Sequence, residues 1–249
     1  LMCLLACEAA GGVWRVALPA ATAVELVHNF SLIHDDIEDN SNTRRHRATV
    51  WSLWGVPQAI NTGDAMWSVA RLTCHRLGAL GHPPERVLRA IATLDEACLE
   101  LCTGQYLDLA FEAQGTVSLA DYMRMIDGKT AALLSAAFGM GATLAGVSNA
   151  VVASYQASGR ELGLAFQITD DILGIWGDPA VTGKSAASDI LACKKTLPIL
   201  YTLDWERTRG AMELARLYAR PPLAEDDVPR VWPSWNVPAR GPMRRNGRG

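Results

Sequence analysis

Residues Leu32–Asn40 read LIHDDIEDN and follow an apolar stretch with helical spacing. Four acids, Asp35, Asp36, Glu38 and Asp39, stand together there. Like charges repel, and carboxylates are costly to bury unpaired. On a helix over about 15–40, Asp35 and Asp39 share a face one turn apart. His28 lies on that face two turns earlier. Two carboxylates on one face, with no Lys between them, suit a hard cation such as Mg²⁺. That ion takes one or two protein carboxylates and leaves its other positions to water and phosphate oxygens. The plain alternative is a solvated acidic helix end.

Other segments shift the balance. Arg44 and Arg45 follow the acids, then Arg47, and the arginine fork matches phosphate oxygens. A second acidic pair occurs in FQITDDILGIWGD (Phe166–Asp178), where Gln167, Asp170, Asp171 and Gly174 share a helical face. That helix is otherwise apolar, so its acids call for a cation or an opening. Lys129 and Thr130 interrupt a helix of small residues, IDGKTAALLSAAFGMGA (Ile126–Ala142), directly after Gly128. Glycine weakens a helix, which points to a bend or to close approach of a ligand. Lys184 lies in the loop after the second acidic pair, and Lys194 and Lys195 follow Asp189. These lysines are placed to meet phosphates as point charges.

The rest of the chain is helical in pattern. Strand signals are nearly absent, and apolar spacing predicts helices over about 1–10, 15–40, 57–80, 84–113, 118–146, 149–177, 190–203 and 206–219. SLAD (Ser118–Asp121) resembles a capping box with Asp for Glu. Of 249 residues, 49% are apolar and 20% charged, with a net charge of −3. Bulk charge therefore points to neither nucleic acid nor membrane, and no apolar run reaches the ~18–20 residues expected of a membrane span. The six cysteines, 3, 7, 74, 98, 102 and 193, lack metal-site or redox spacing and read as buried thiols in a reducing cytosol. Residues 1–220 form the expected helical domain. Residues 221–249 are expected to be a disordered tail: from Pro229 onward there are five Arg, four Pro, three Gly and no acid.

Taken in order, HNFSLIHDDIEDN with Arg44–Arg45, GQYLD (Gly104–Asp108), GKTAAL (Gly128–Leu133), FQITDD, GDPAVTGK (Gly177–Lys184) and KKTLP (Lys194–Pro198) resemble the trans-isoprenyl diphosphate synthases of the polyprenyl synthetase family, of the geranylgeranyl/farnesyl type. The resemblance implies an all-α, single-domain helical bundle around a central cavity (the isoprenoid synthase type I fold). It implies a cytoplasmic homodimer that uses three Mg²⁺ ions to condense an allylic diphosphate with isopentenyl diphosphate. The implied product is a medium-chain C20 or C15 all-trans prenyl diphosphate. By the same likeness, Asp35, Asp39 and Asp170 hold the metal, with Asp36 and Asp171 in support. Arg44, Lys129, Thr130, Gln167, Lys184 and Lys194 contact the allylic diphosphate, while His28 and Arg45 contact isopentenyl diphosphate. Phe30 and Ser31, below Asp35, would set product length.

The pattern departs from the family in four places. Gly174 stands where the family often has a third Asp in its second motif. His46 and Ala48 stand where it usually has Gly and Pro, which suggests a looser turn. A Gly-Gly-Lys-Arg-x-Arg-Pro stretch normally precedes a segment like LMCLLACEAAGG (Leu1–Gly12), so the chain reads as N-terminally truncated and weak in binding isopentenyl diphosphate. The Arg/Pro tail stands in place of the terminal helices. Two further readings stay open: a class I terpene cyclase on the same fold, or a non-catalytic subunit of a synthase.

Overall fold

A computed structural model describes residues 1–112, 114, 116–177, 188–191, 193–220 and 223–231. The described residues are almost wholly helical. Helix α1 is Met2–Ala9, and a 3₁₀ turn at Trp14–Ala17 runs into α2, Leu18–Glu38. Then come α3 (Val50–Trp54), α4 (Val56–Ala79) and α5 (Pro84–Glu112). Helices α6 (Leu119–Ile126) and α7 (Ala132–Ala145) are joined without a break by a π turn, Asp127–Ala131. The long α8 is Asn149–Trp176. Short pieces follow: α9 (Ser188–Leu191), α10 (Leu197–Arg209), α11 (Glu213–Tyr218) and α12 (Val228–Val231).

The packing follows from composition. Helix α7 is built mostly of Ala, Leu and Gly and is buried almost all round, as a central helix should be. Its small residues let neighbours approach closely. A Cβ at Gly141 would lie 2.2 Å from the Cys3 carbonyl of α1, so only glycine fits there. Helix α2 packs chiefly on α4, and α7 on α1, α5 and α8. The main core joins Val27 and Phe30 of α2, Leu77 of α4, Leu94 of α5 and Met140 of α7.

Local chemistry sets the helix ends. Ser118 caps α6: its hydroxyl accepts from the Asp121 amide and donates to the Asp121 carboxylate, as SLAD predicts. Pro198 in the first turn starts α10 at Leu197, and Gly210, left-handed at φ 69°, ends it. That is why the helices expected at 190–203 and 206–219 fall elsewhere.

The structure bears on three further expectations. A two-residue antiparallel pair, β1 (Thr43–Arg44) with β2 (Arg47–Ala48), closes a tight turn. Its corner residues Arg45 and His46 sit at φ 50° and 62°, so the turn is not loosened by the lack of glycine, although left-handed backbone costs such residues roughly 1 kcal/mol each. The segment Trp14–Glu38 contains an 18-residue window of mean hydropathy 1.4, long and apolar enough to cross a membrane by length and composition alone. A helix that lends its apolar face to a core meets the same measure, so the expectation of no membrane span is not overturned. The 3₁₀ turn adds its apolar residues to those of α2, and Ala20, Ala23, Val27 and Phe30 are spent on the core. Finally, the described residues extend past residue 220. Leu223 and Val231 are buried beside Ile190, Ile199 and Leu214, with Val228 against them, because these apolar side chains in a Pro/Arg-rich stretch still find a core. Residues 232–249 lie outside the described residues.

Candidate active site

Between α2, α5, α6, α7 and α8 lies a cavity of about 1770 Å³, larger than the ~300–1,000 Å³ of an ordinary small-ligand pocket. Its polar part is lined by Asp35, Asp39, Arg44, Asp108, Lys129, Asp170 and Lys194. Its apolar part is lined by Phe30, Leu101, Met125, Leu133, Leu134 and Ala137. A charged head with an apolar tail is the ligand shape such a lining fits.

The first acidic segment is held by a network of cations. Arg44, at the end of β1, donates from Nε to Asp36 Oδ1 at 2.7 Å and from NH2 to Asp35 Oδ2 at 2.8 Å. Lys129 Nζ sits 3.4 Å from Asp35 Oδ1 and 2.5 Å from Asp108 Oδ2. Lys194 Nζ is 3.3 Å from Asp39 Oδ2. Gln105 Nε2 donates to Glu38 at 2.6 Å. Asp35 and Asp36 titrate in opposite directions. Burial raises the Asp35 carboxyl, but Lys129, Arg44 and Lys194 outweigh it and hold it below the usual range. Asp36, 5% exposed, is raised by burial, which Arg44 only partly offsets. Burial lowers Lys129, but Asp108 and Asp35 raise it more. Burial likewise lowers Lys194, and Asp39, Asp108 and Asp189 raise it well above the ordinary lysine value.

The second acidic pair divides its work. Asp170 is exposed to the cavity and makes no hydrogen bond or ion pair among the described residues. Asp171 is 5% exposed and accepts three hydrogen bonds: from Tyr122 at 2.5 Å, Gln167 at 3.0 Å and the Leu197 amide at 2.9 Å. Asp171 thus ties α8 to α6 and α10. Thr130 donates to Gln167 Oε1 at 2.6 Å, so Gln167 bridges the π turn and Asp171.

The remaining candidates also reach the cavity. His28 and Arg45 line it, and burial pushes the His28 ring down despite Glu25 nearby. Ser31 turns its hydroxyl back onto the His28 carbonyl. Phe30 packs on His34 and Trp67, with ring centroids 5.7 and 5.8 Å apart. Lys195 stacks over the Tyr218 ring at 4.8 Å. Lys184 lies outside the described residues.

Sequence reasoning gave no role to Gln105, Asp108, Tyr122 or Asp189. Gln105 and Asp108 were within reach, since they stand three apart on one face of α5 in GQYLD. Tyr122 and Asp189 carry no local signal.

The donor set fits a hard divalent cation. Asp35 and Asp39 share one face of α2, and across the cavity Asp170 presents a carboxylate that has no partner among the described residues. No three acids or histidines among the described residues form a ready-made metal cluster. That fits an ion that takes one or two protein carboxylates and completes its shell from a phosphate.

The polyprenyl synthetase family model matches residues 1–233. The chain is similar to a geranylgeranyl diphosphate synthase of Mycobacterium tuberculosis, 46% identical over 229 residues, covering 91% of this chain and 63% of that protein. It is similar to a (2E,6E)-farnesyl diphosphate synthase of Mycobacterium bovis, 48% identical over 199 residues, covering 80% and 54%. The chain thus spans less than two thirds of the length of these relatives. A crystal structure of a polyprenyl synthetase from Streptomyces coelicolor superposes with TM-score 0.84 at 37% identity, covering 94% of this chain and 69% of that one. A polyprenyl synthase from Caulobacter crescentus, complexed with calcium and isoprenyl diphosphate, superposes with TM-score 0.82 at 31% identity, covering 94% and 69%.

Proposed function

The chain belongs to the polyprenyl synthetase family, and on that premise we propose that it is a Mg²⁺-dependent prenyltransferase. It condenses an allylic diphosphate with isopentenyl diphosphate to a C20 or C15 all-trans prenyl diphosphate. The observation that carries this reading is the split cavity: acids and cations at one end, apolar side chains at the other. The relatives named as geranylgeranyl and farnesyl diphosphate synthases support the medium chain length. Neither the cavity nor these relatives favour the cyclase or the non-catalytic subunit.

The proposed roles are those the family resemblance implies, and the shared cavity lining supports them. Asp35, Asp39 and Asp170 hold the metal, three ions per site. Bound Mg²⁺ neutralises the charge that grows on the departing diphosphate. Arg44, Lys129 and Lys194 are poised at the carboxylates and donate to the same diphosphate oxygens, placing fixed positive charge where negative charge develops. Thr130 and Gln167 orient it as hydrogen-bond donors, and Lys184 belongs with this group by sequence. His28 and Arg45 bind isopentenyl diphosphate. The apolar lining keeps water from the allylic cation. Asp36 anchors Arg44 and Asp171 anchors α8, so both act in support. The enzyme works as a homodimer in the cytoplasm. The exposed Leu72 and Val69 of α4, with Leu88, Leu99 and Tyr106 of α5, supply an apolar face for a second copy, and six free cysteines suit a reducing compartment.

The test is incubation with dimethylallyl, geranyl or farnesyl diphosphate, labelled isopentenyl diphosphate and Mg²⁺. Label in a C15 or C20 product is expected. Products without label would point to a cyclase and overturn the reading, as would no turnover with any allylic substrate.

A further inference from the structure

Away from the carboxylate clamp, one ion-pair triad joins three elements behind the π turn. Arg160 on α8 donates from NH1 to Asp127, the first residue of the turn, and from NH2 to Glu100 Oε2 on α5 at 2.8 Å. All three side chains are partly buried. The turn is pinched from the same two helices. A Cβ at Gly104 of α5 would lie 2.1 Å from the Lys129 amide nitrogen, and a Cβ at Gly163 of α8 would lie 2.5 Å from Ala131 Cα.

The turn needs holding. A π turn carries one more residue than an α turn. Letting it relax to α geometry would rotate whatever follows by about 100°. Both flanks resist that rotation, since Tyr122 and Ile126 of α6 and Met140 and Leu144 of α7 are fixed in the core. The strain falls on Asp127–Ala131, which contains Gly128, a weak helix former. Lys129 and Thr130 sit in that turn and diverge, one toward Asp108 and Asp35, the other toward Gln167.

We propose that Arg160 is a positioning residue: by tying Asp127 to Glu100, it fixes the π turn in the register that aims Lys129 and Thr130 into the cavity. The diphosphate as ligand of those two residues rests on the function proposed above, while the clamp is geometry of this chain alone. Arginine suits the task because its fork reaches two carboxylates on different elements, whereas lysine is a single point charge. Being partly exposed, the triad adds little to global stability. Its loss should therefore register at the site before it registers in folding.

The test compares the full chain with R160M and R160K by three measurements. These are inorganic diphosphate binding with Mg²⁺, steady-state kinetics with farnesyl diphosphate, and amide hydrogen exchange across 127–131. In R160M, a displaced Lys129 should weaken diphosphate binding and raise the allylic KM about tenfold, with a smaller fall in kcat. Exchange in the turn should quicken, and R160K should recover part of each change. Unchanged binding and exchange in R160M would overturn the proposal. So would a fall in kcat and melting temperature with the allylic KM intact, which marks a merely structural residue. If the unaltered chain makes no product, the proposed function fails, and the binding and exchange data still decide the role of Arg160.

Discussion

The Asp189 carboxylate fills the space that a side chain at Gly174 would need: a Cβ built at Gly174 would lie 2.1 Å from Asp189 Oδ2. The second acidic motif lacks a third Asp on α8, yet a carboxylate from α9 stands at that position and lines the cavity. It also contributes to the raised pKa of Lys194. The absence of Asp at 174 and the place of Asp189 are therefore one feature.

Gly174→Ala should push Asp189 aside. Overpacking of this kind costs about 1–3 kcal/mol, and the displaced carboxylate should raise the Mg²⁺ concentration needed for turnover. Thermal melting and a Mg²⁺ titration of product formation check this. A variant with unchanged melting and Mg²⁺ dependence would show that α9 yields freely and that Asp189 is not held by Gly174.

Phe30 lines the cavity, and its ring packs on that of Trp67. If Phe30 sets product length, Phe30→Ala should lengthen the product, and the double variant with Trp67→Ala, which also removes the ring packed on Phe30, should lengthen it further. Losing a buried Phe side chain costs about 3–5 kcal/mol, so the assay belongs well below the melting temperature. Chromatography of dephosphorylated products reads the outcome, and identical chain lengths in all three proteins would exclude Phe30 as the stop.

Tyr122→Phe removes the hydroxyl that donates to Asp171, both groups being buried. Burial and the nearby Asp171 raise the phenol, so it stays a donor throughout the working pH range. The variant should lose about 1–3 kcal/mol of stability, read by chemical denaturation. Asp171 keeps two other donors, so the loss should stay below that of Asp171→Ala, and equal losses would contradict the shared anchoring described above.

What was legible in the sequence is what helical period alone dictates. Asp35 and Asp39 fall on one face because they are four apart, and Gly128 before Lys129 announced an irregularity that proved to be the π turn. What was hidden depends on contacts between distant segments. Nothing near Arg160 names Asp127 or Glu100 as partners, and nothing near Gly174 names Asp189. Composition alone also gave no sign of the contacts made at the C-terminal end. The Pro/Arg bias of that stretch masked Leu223, Val228 and Val231, whose burial is a property of the core they meet rather than of their neighbours in sequence.

Cys102 is the one exposed thiol of the six, and it lines the cavity next to Gln105 and Tyr106. A hydrogen bond from Cys98 lowers its pKa, outweighing the effect of burial, while burial pushes Cys74 up to about 11 and Cys3 up to about 12. The reactive species is the thiolate. A thiol with a lowered pKa therefore already reacts near neutrality, while the raised thiols wait for alkaline pH. Iodoacetamide at pH 7 should label Cys102 first, and Cys102→Ser should remove most of the fast labelling. Because Cys102 borders the cavity, farnesyl diphosphate with Mg²⁺ should slow the reaction, whereas inorganic diphosphate alone, confined to the charged end, should protect less. Peptide mapping by mass spectrometry gives the site and the rate. Fast labelling at any other cysteine, or no protection by the prenyl chain, would show that Cys102 is not poised beside the tail-binding end of the cavity.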